Sequence, residues 1–138
     1  TVMGDTVNFA SRLESANKTY RNRILISSAT AGAAANYVET RELDRLVVIG
    51  THEPQQVFEV MGRKSLLTPA QQSLRARFAE GLAAYRAQDW TAARTAFADC
   101  LDIMPGDGPS AMFLDRIAHF AVTPPGADWD GTWMMDRK

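Results

Sequence analysis

The feature that most constrains the fold is a set of small and aromatic residues at helical spacing between residues 81 and 105. Small residues at two of these positions let two antiparallel helices approach closely, and aromatic rings fill the space between them. A proline at the end of the set stops the second helix. The positions are Gly81, Tyr85, Asp89, Trp90, Ala93, Phe97 and Pro105. The spacing therefore predicts a helix–turn–helix unit in this part of the chain.

This spacing resembles that of a tetratricopeptide repeat, a helical hairpin of about 34 residues. A third helix is predicted at about 109–120, so that residues 68–120 are helical. Only one full repeat is present, whereas a solenoid of such repeats needs about three. A single repeat must therefore pack on the rest of the chain or on a partner protein. Residues 121–138 are predicted to be irregular, and we expect Trp129 and Trp133 to pack on the helices or on a second chain, because exposed tryptophans are costly.

The first 62 residues mix one helix with short β-rich runs. A helix is predicted from about Gly4, capped by Asp5 or Thr6. A strand is predicted at 23–27, followed by a short alanine-rich helix that Ser27 or Ser28 caps and that ends near 35. Further strands are predicted at 37–40, 43–49 and 56–60, with a turn at 50–54. This succession of elements is typical of an α+β segment.

Residues 1–14 closely resemble the signature of class III adenylate and guanylate cyclases, in which Gly-Asp-x-Val-Asn-x-Ala-[Ser/Ala]-Arg leads into a helix; here it reads from Gly4 to Arg12. Residues 41–45 and 53–60 resemble the last strands of the same catalytic domain. The resemblance implies the C-terminal part of a ferredoxin-like cyclase domain. It also implies the cyclisation of ATP to 3′,5′-cyclic AMP and pyrophosphate, a phosphorus–oxygen lyase reaction of signal transduction.

Asn8 and Arg12 are four residues apart, so on a helix they lie one turn from each other and point the same way. An amide beside a guanidinium is a donor-rich pair that suits a ribose and a phosphate. In the family, the matching asparagine orients the ribose and the matching arginine stabilises charge on the α-phosphate. Thr1 stands where the family reads the purine, and its hydroxyl can both donate to and accept from an adenine edge. The resemblance thus gives Asn8 and Arg12 catalytic roles and makes Thr1, Asn8 and Arg12 substrate-binding residues.

The resemblance also implies two metal ions, Mg²⁺ or Mn²⁺, held by aspartates that this chain does not contain. Asp5 is expected to cap a helix and not to bind metal. Many family members carry Lys-Gly-Lys in the turn before the final strand, where a lysine reaches the phosphates. Here Ile49 and Thr51 stand in its place, and His52, uncharged near pH 7, is expected to lie on the surface. The departure leaves open whether the cyclase activity is retained.

Composition excludes some classes of function. The formal net charge is −1, and no basic face of the kind that binds nucleic acid is visible. The single cysteine, Cys100, excludes an internal disulfide, fits a reducing compartment and is expected to be buried. No stretch approaches the ~20 apolar residues of a membrane span. We therefore expect a cytoplasmic location. Segments upstream of this chain could anchor the parent protein to a membrane.

Together these features predict an α+β cyclase fragment followed by a small helical unit. The predicted boundaries are a cyclase segment at 1–62, a linker at 63–69, a tetratricopeptide-like region at 70–120 and an irregular tail at 121–138. The partners are expected to be ATP, a second copy that shares the active site in a homodimer, and a protein partner for the helical tail. We expect the isolated chain to be inactive. Two alternatives stay open: a non-catalytic interaction or dimerisation module with a degenerate cyclase remnant, and a guanylate cyclase.

Overall fold

The computed structural model describes residues 24–47 and 53–134. Three strands and one short helix come first along the chain, three longer helices follow, and a fourth strand then rejoins the sheet. They are β1 (Leu25–Ser27), α1 (Ser28–Ala33), β2 (Val38–Val47), β3 (Gln55–Arg63), α2 (Pro69–Arg86), α3 (Trp90–Ile103), α4 (Gly108–Val122) and β4 (Thr132–Met134).

Each helix begins at a residue whose side chain caps it. Ser27 accepts a hydrogen bond from the backbone N–H of Thr30 at the start of α1. Thr68 and Gln71 form a capping box at the start of α2, where Pro69 takes the first helical position. Asp89 and Asp107 cap α3 and α4 in the same way. These caps confirm the predicted short helix after Ser27 and the predicted helical character of residues 68–120.

The sheet has four strands in the order β1-β3-β2-β4. β3 pairs antiparallel with β1 on one side and with β2 on the other. β4 pairs in parallel with the end of β2, where Arg45, Leu46 and Val47 face Thr132, Trp133 and Met134. The sheet is therefore mixed, and with the helices it confirms the α+β prediction. The ferredoxin-like cyclase domain stays a prediction.

The prediction of two strands at 37–40 and 43–49 was wrong within the part of the chain that is described. A single strand, β2, runs through Val38–Val47. The gap between the two predicted strands falls at Arg41 and Glu42, but these side chains pair with a helix cap and a helix, and the strand continues. Register shifts between Glu39 and Thr40 and between Glu42 and Asp44 accommodate them. Such shifts bend a strand and turn its side chains without ending it.

The helices α2, α3 and α4, here called the helical layer, pack on the sheet around one cluster of buried residues. Leu43, Leu46 and Val57 from the sheet join the aromatic rings of the helices in this cluster. The rings of Phe97 and Phe113 are stacked 4.9 Å apart, and Phe78 meets both edge-on at 5.2 and 5.7 Å. The helical hairpin thus buries its apolar side against the chain's own sheet. The tetratricopeptide-like identity of the hairpin stays a prediction.

The tail was predicted to be irregular, but three of its residues form β4. The strand forms because Trp133 packs on Arg116 and Phe120 while its backbone pairs with β2. Trp129 lies against Tyr85 and Phe120, with ring centroids 5.0 and 5.2 Å away. The expectation that both tryptophans pack on the helices is confirmed.

β4 lies at one end of the strand order. The backbone N–H of Thr132 donates to Asp130 Oδ1 at 3.0 Å, and its C=O accepts from Trp129 Nε1 at 2.8 Å. Within the two described stretches, no helix has the length and apolar character that crossing a membrane requires.

Candidate functional site

The site residues predicted from sequence, Thr1, Asn8 and Arg12, lie outside the described residues. The same holds for Asp5 and for Ile49, Thr51 and His52. What the structure does describe is the pair of strands that resembles the end of a cyclase domain, together with the surface on which the helical layer packs. The functional question in this region is how the helical layer is attached to β2.

β2 carries four charged residues that reach the helical layer, and we call them the β2 seam. Each is paired with an oppositely charged residue on the helices or at a helix cap. The pairs are Glu39–Arg75, Arg41–Asp107, Glu42–Arg86 and Asp44–Arg116. A strand in the middle of a sheet rarely carries this many charges unless they are matched, because a buried unmatched charge is very costly.

Arg41 is the most connected member of the β2 seam. Its Nε donates to Glu59 Oε1 on β3 at 2.7 Å, and its two terminal nitrogens donate to the two carboxylate oxygens of Asp107 at 3.1 and 2.5 Å. The guanidinium carbon lies 4.6 Å from the centre of the Phe78 ring on α2. Burial alone would lower the pKa of Arg41, but the hydrogen bonds and charges of Asp107 and Glu59 outweigh it and raise that pKa. Arg41 is therefore a charged hub between two strands and two helices.

Asp107 is held in place independently of Arg41. Its Oδ2 accepts from Ser110 Oγ at 2.6 Å and from the Ser110 backbone N–H at 3.3 Å, as the cap of α4. Both residues are buried. The bidentate contact with Arg41 thus connects β2 to the fixed N-terminus of α4. Bidentate arginine–carboxylate pairs are both stronger and more directional than other ion pairs.

Asp44 and Arg116 form the second buried pair. Arg116 Nη1 donates to Asp44 Oδ2 at 2.6 Å, and the side chains are 4% and 0% exposed. The Arg116 guanidinium lies over Trp133 at 4.1 Å and over Phe113 at 5.0 Å. Tyr85 lies beside it, with its hydroxyl 3.5 Å from Arg116 Nη1. Burial raises the pKa of Tyr85 to about 12, so the tyrosine stays neutral over the physiological range.

The other two pairs of the β2 seam are partly exposed. Arg75 contacts Glu39 at 3.0 Å, and Arg86 contacts Glu42 at 2.9 Å. The backbone N–H of Ser65 and the side chain of Arg75 lower the pKa of Glu39. Solvent screens pairs of this kind, so they contribute little. The two buried pairs differ from them, because the loss of one partner would leave a buried charge without compensation.

Three clefts among the described residues lie near this region, and none of them suits a nucleotide. One, of about 190 Å³, lies beside Arg41, Glu59 and Asp107, where the single cation is already bonded to both carboxylates. Small-molecule sites usually occupy about 300–1,000 Å³, so this one is small for a nucleotide. Another, of about 480 Å³, is lined mainly by aromatic rings, and its titratable side chain is His119. The third, of about 200 Å³, is lined by Arg41, Arg75 and Arg86, each of which is already paired with a carboxylate.

Sequence reasoning missed the β2 seam. The signal was present, because charged residues at 39, 41, 42, 44 and 45 make up half of the ten-residue strand. In the four pairs of the β2 seam, the partners lie between 36 and 72 residues further along the chain, at positions that only the folded arrangement reveals. The burial predicted for Cys100 is confirmed, and burial raises the pKa of its thiol to about 11.

Comparison with known proteins gives two relatives. The chain is 30% identical over 120 residues to the terminal-differentiation-specific adenylate cyclase of Dictyostelium discoideum, a match that covers 84% of this chain and 6% of that protein. It is 40% identical over 62 residues to adenylate cyclase 1 of Rhizobium meliloti strain 1021, covering 45% of this chain and 9% of that protein. The chain is related to adenylate cyclases. No family model matches it, and no solved structure matches it significantly.

The cyclase relationship extends beyond the signature segment. A match that covers 84% of 138 residues must include residues 23–116 wherever it begins. It therefore takes in β2, β3, α2, α3 and the part of α4 that carries Arg116. All four pairs of the β2 seam lie within this span. The chain nevertheless spans less than a tenth of the length of either relative.

The described part of this cyclase-like chain does not fit the two metal ions that the resemblance implies. Its buried carboxylates, Asp44, Glu59 and Asp107, are all bonded to arginines. Among residues 24–47 and 53–134, no group of three or more His, Cys, Asp or Glu side chains is placed to hold a metal ion. A carboxylate that neutralises a buried guanidinium is a poor metal ligand, because binding metal would leave that guanidinium uncompensated.

Proposed function

We propose that this chain is part of a class III adenylate cyclase that converts ATP to 3′,5′-cyclic AMP and pyrophosphate. The observation that carries the proposal is the similarity to two adenylate cyclases, one from Dictyostelium discoideum and one from Rhizobium meliloti. In the reaction, the ribose 3′-oxygen attacks the α-phosphorus, the bond to the bridging oxygen breaks and pyrophosphate leaves. ATP as the substrate would place the site in the cytoplasm.

In this proposal, Arg12 stabilises the negative charge that develops on the α-phosphate, and Asn8 orients the ribose. A fixed donor directed at developing charge contributes about 3–4 kcal/mol to catalysis. Thr1 reads the adenine edge through its hydroxyl group. The Mg²⁺ or Mn²⁺ ions would be held by aspartates outside this sequence. The site would be shared between two copies in a homodimer, and the isolated chain would be inactive.

A non-catalytic interaction or dimerisation module is the second candidate. Ile49 and Thr51, in place of phosphate-binding lysines, favour it. Against it, the helical hairpin buries its apolar side on its own sheet, so the pattern that suggested a partner protein is explained within the chain. A guanylate cyclase is the third candidate. Thr1 argues against it, because its hydroxyl group would recognise adenine.

The test uses the full-length parent protein with ATP and Mn²⁺. Wild type is compared with Arg12→Ala and with Arg94→Ala, a matched control on the exposed side of α3. The proposal predicts that Arg12→Ala lowers the rate of cyclic AMP formation about 10²–10³-fold, the equivalent of 3–4 kcal/mol, while Arg94→Ala does not.

Three outcomes separate the candidates. Cyclic AMP from wild type and its loss in Arg12→Ala support the cyclase. No cyclic nucleotide from any variant, together with self-association or a bound partner protein, supports the module. Preferential use of GTP in a competition assay supports the guanylate cyclase.

A further inference from the structure

We propose that the helical layer positions strand β2 for the cyclase reaction through its two buried arginine–carboxylate pairs, which makes Asp107 and Arg116 positioning residues of the enzyme. This inference rests on the proposed function. The inference goes beyond the proposed function because it assigns a role in the reaction to residues outside the segment that resembles a cyclase domain.

The first step is that the Arg41–Asp107 contact fixes both partners. Asp107 is held by Ser110 at the start of α4, and Arg41 is held by Glu59 on the neighbouring strand. The two planar groups meet through two hydrogen bonds, which sets their relative orientation as well as their distance. A displacement of α4 would therefore displace β2 and β3 together.

The second step is that the Asp44–Arg116 contact fixes β2 nearer its C-terminal end. Arg116 is enclosed between the rings of Trp133 and Phe113, so its guanidinium has little freedom. Trp133 belongs to β4, which pairs with β2 directly after Asp44. The strand is thus held from the helices by Arg116 and from its edge by β4.

The third step connects this attachment to the reaction. Residues 41–45 and 53–60 are those that resemble the last strands of a cyclase domain, so β2 and β3 would belong to the catalytic framework. Rates depend steeply on geometry: a misplacement of about 1 Å by a distant mutation can cost about 10²-fold. An element that fixes two strands of that framework through buried charge pairs is expected to affect turnover even without touching the substrate.

The experiment compares three variants of the full-length protein with wild type. Asp107→Asn removes the charge that faces Arg41 but keeps a good helix cap, since asparagine caps helices as well as aspartate does. Arg116→Lys keeps the charge that faces Asp44 but loses the planar group between the two rings. Asp99→Asn is the matched control, because Asp99 pairs with Arg77 between α2 and α3 and contacts neither strand.

The measurements are kcat and KM for ATP per folded enzyme, the thermal unfolding midpoint, and amide hydrogen exchange of residues 38–47. We expect Asp107→Asn and Arg116→Lys to lower kcat/KM about tenfold and to speed exchange in β2, with Asp99→Asn within about twofold of wild type. A merely structural role would lower the unfolding midpoint without changing kcat/KM per folded molecule.

Every outcome decides the question. Faster exchange in β2 with unchanged kcat/KM would overturn the inference, as would lower kcat/KM with unchanged exchange. A wild-type protein that makes no cyclic AMP would refute the proposed function, and the exchange data would then show separately whether the helical layer holds β2.

Discussion

The close approach of α2 and α3 can be tested at Gly81. A Cβ added there would lie 3.0 Å from Cε1 and Cζ of Phe97 and 3.1 Å from Cβ of Ala96. Carbon atoms prefer separations of about 3.5–4.0 Å, so the neighbouring atoms would have to shift by a few tenths of an ångström. Phe97 cannot retreat, because it is fully buried and stacked on Phe113. The helices would have to move apart.

Two opposing effects decide the sign of the change in stability for Gly81→Ala. Alanine gains about 1 kcal/mol over glycine in helix propensity. Overpacking a dense core costs about 1–3 kcal/mol. We expect the cost for Gly81→Ala to lie towards the upper end of this range, because the neighbouring side chains are rigid. The free energy of unfolding should therefore fall by about 1–2 kcal/mol. For a chain of this size, that lowers the unfolding midpoint by roughly 4–8 °C.

The matched control is Gly32→Ala, the same substitution in a helix with no heavy atom within 4 Å of the added Cβ. It should leave stability unchanged or raise it by up to about 1 kcal/mol. Thermal and denaturant unfolding followed by circular dichroism would measure both variants. If Gly81→Ala were as stable as wild type, the packing described between α2 and α3 would be incorrect.

Two further predictions concern buried titratable groups. Since the pKa of Tyr85 is raised to about 12 from an ordinary value near 10, its contribution to stability is complete below pH 10 and is lost as the pH rises from about 10 to 12. Unfolding measured across this range should show a larger loss of stability in wild type than in Tyr85→Phe, which keeps the loss caused by the raised thiol pKa of Cys100, and equal losses in both would contradict the assignment. With a thiol pKa of about 11, Cys100 should be alkylated at pH 8 roughly a hundredfold more slowly than an exposed thiol, and rapid labelling of the folded protein would show that it is accessible.

Local signals in the sequence predicted the helices well. The caps at Ser27, Thr68, Asp89 and Asp107 are side chains acting within three residues of themselves, so sequence alone contains both partners. The prediction for β2 failed because it divided the strand at Arg41 and Glu42, two charged residues of the β2 seam. Those charges are stabilised by partners that lie far along the chain, and no local rule contains them.

The tail shows the same limit. Its prolines and glycines suggested irregular structure, and residues 124–131 do connect α4 to β4 without a helix or strand. The strand itself forms because Trp133 reaches Arg116 and β2, which are 17 or more residues away. The site prediction has a different status: Thr1, Asn8 and Arg12 rest on the signature motif and stay predictions.

The hydrogen bonds at Thr132 have a consequence for how the sheet meets other molecules. Unpaired backbone groups on a terminal strand are templates for pairing with another chain, and proteins commonly prevent this. Here Asp130 and Trp129 already satisfy the N–H and the C=O of Thr132 with their side chains. A strand from a second molecule that approached β4 at this residue would first have to break both bonds. Strand pairing with a second molecule is therefore disfavoured at Thr132, the first residue of this short strand.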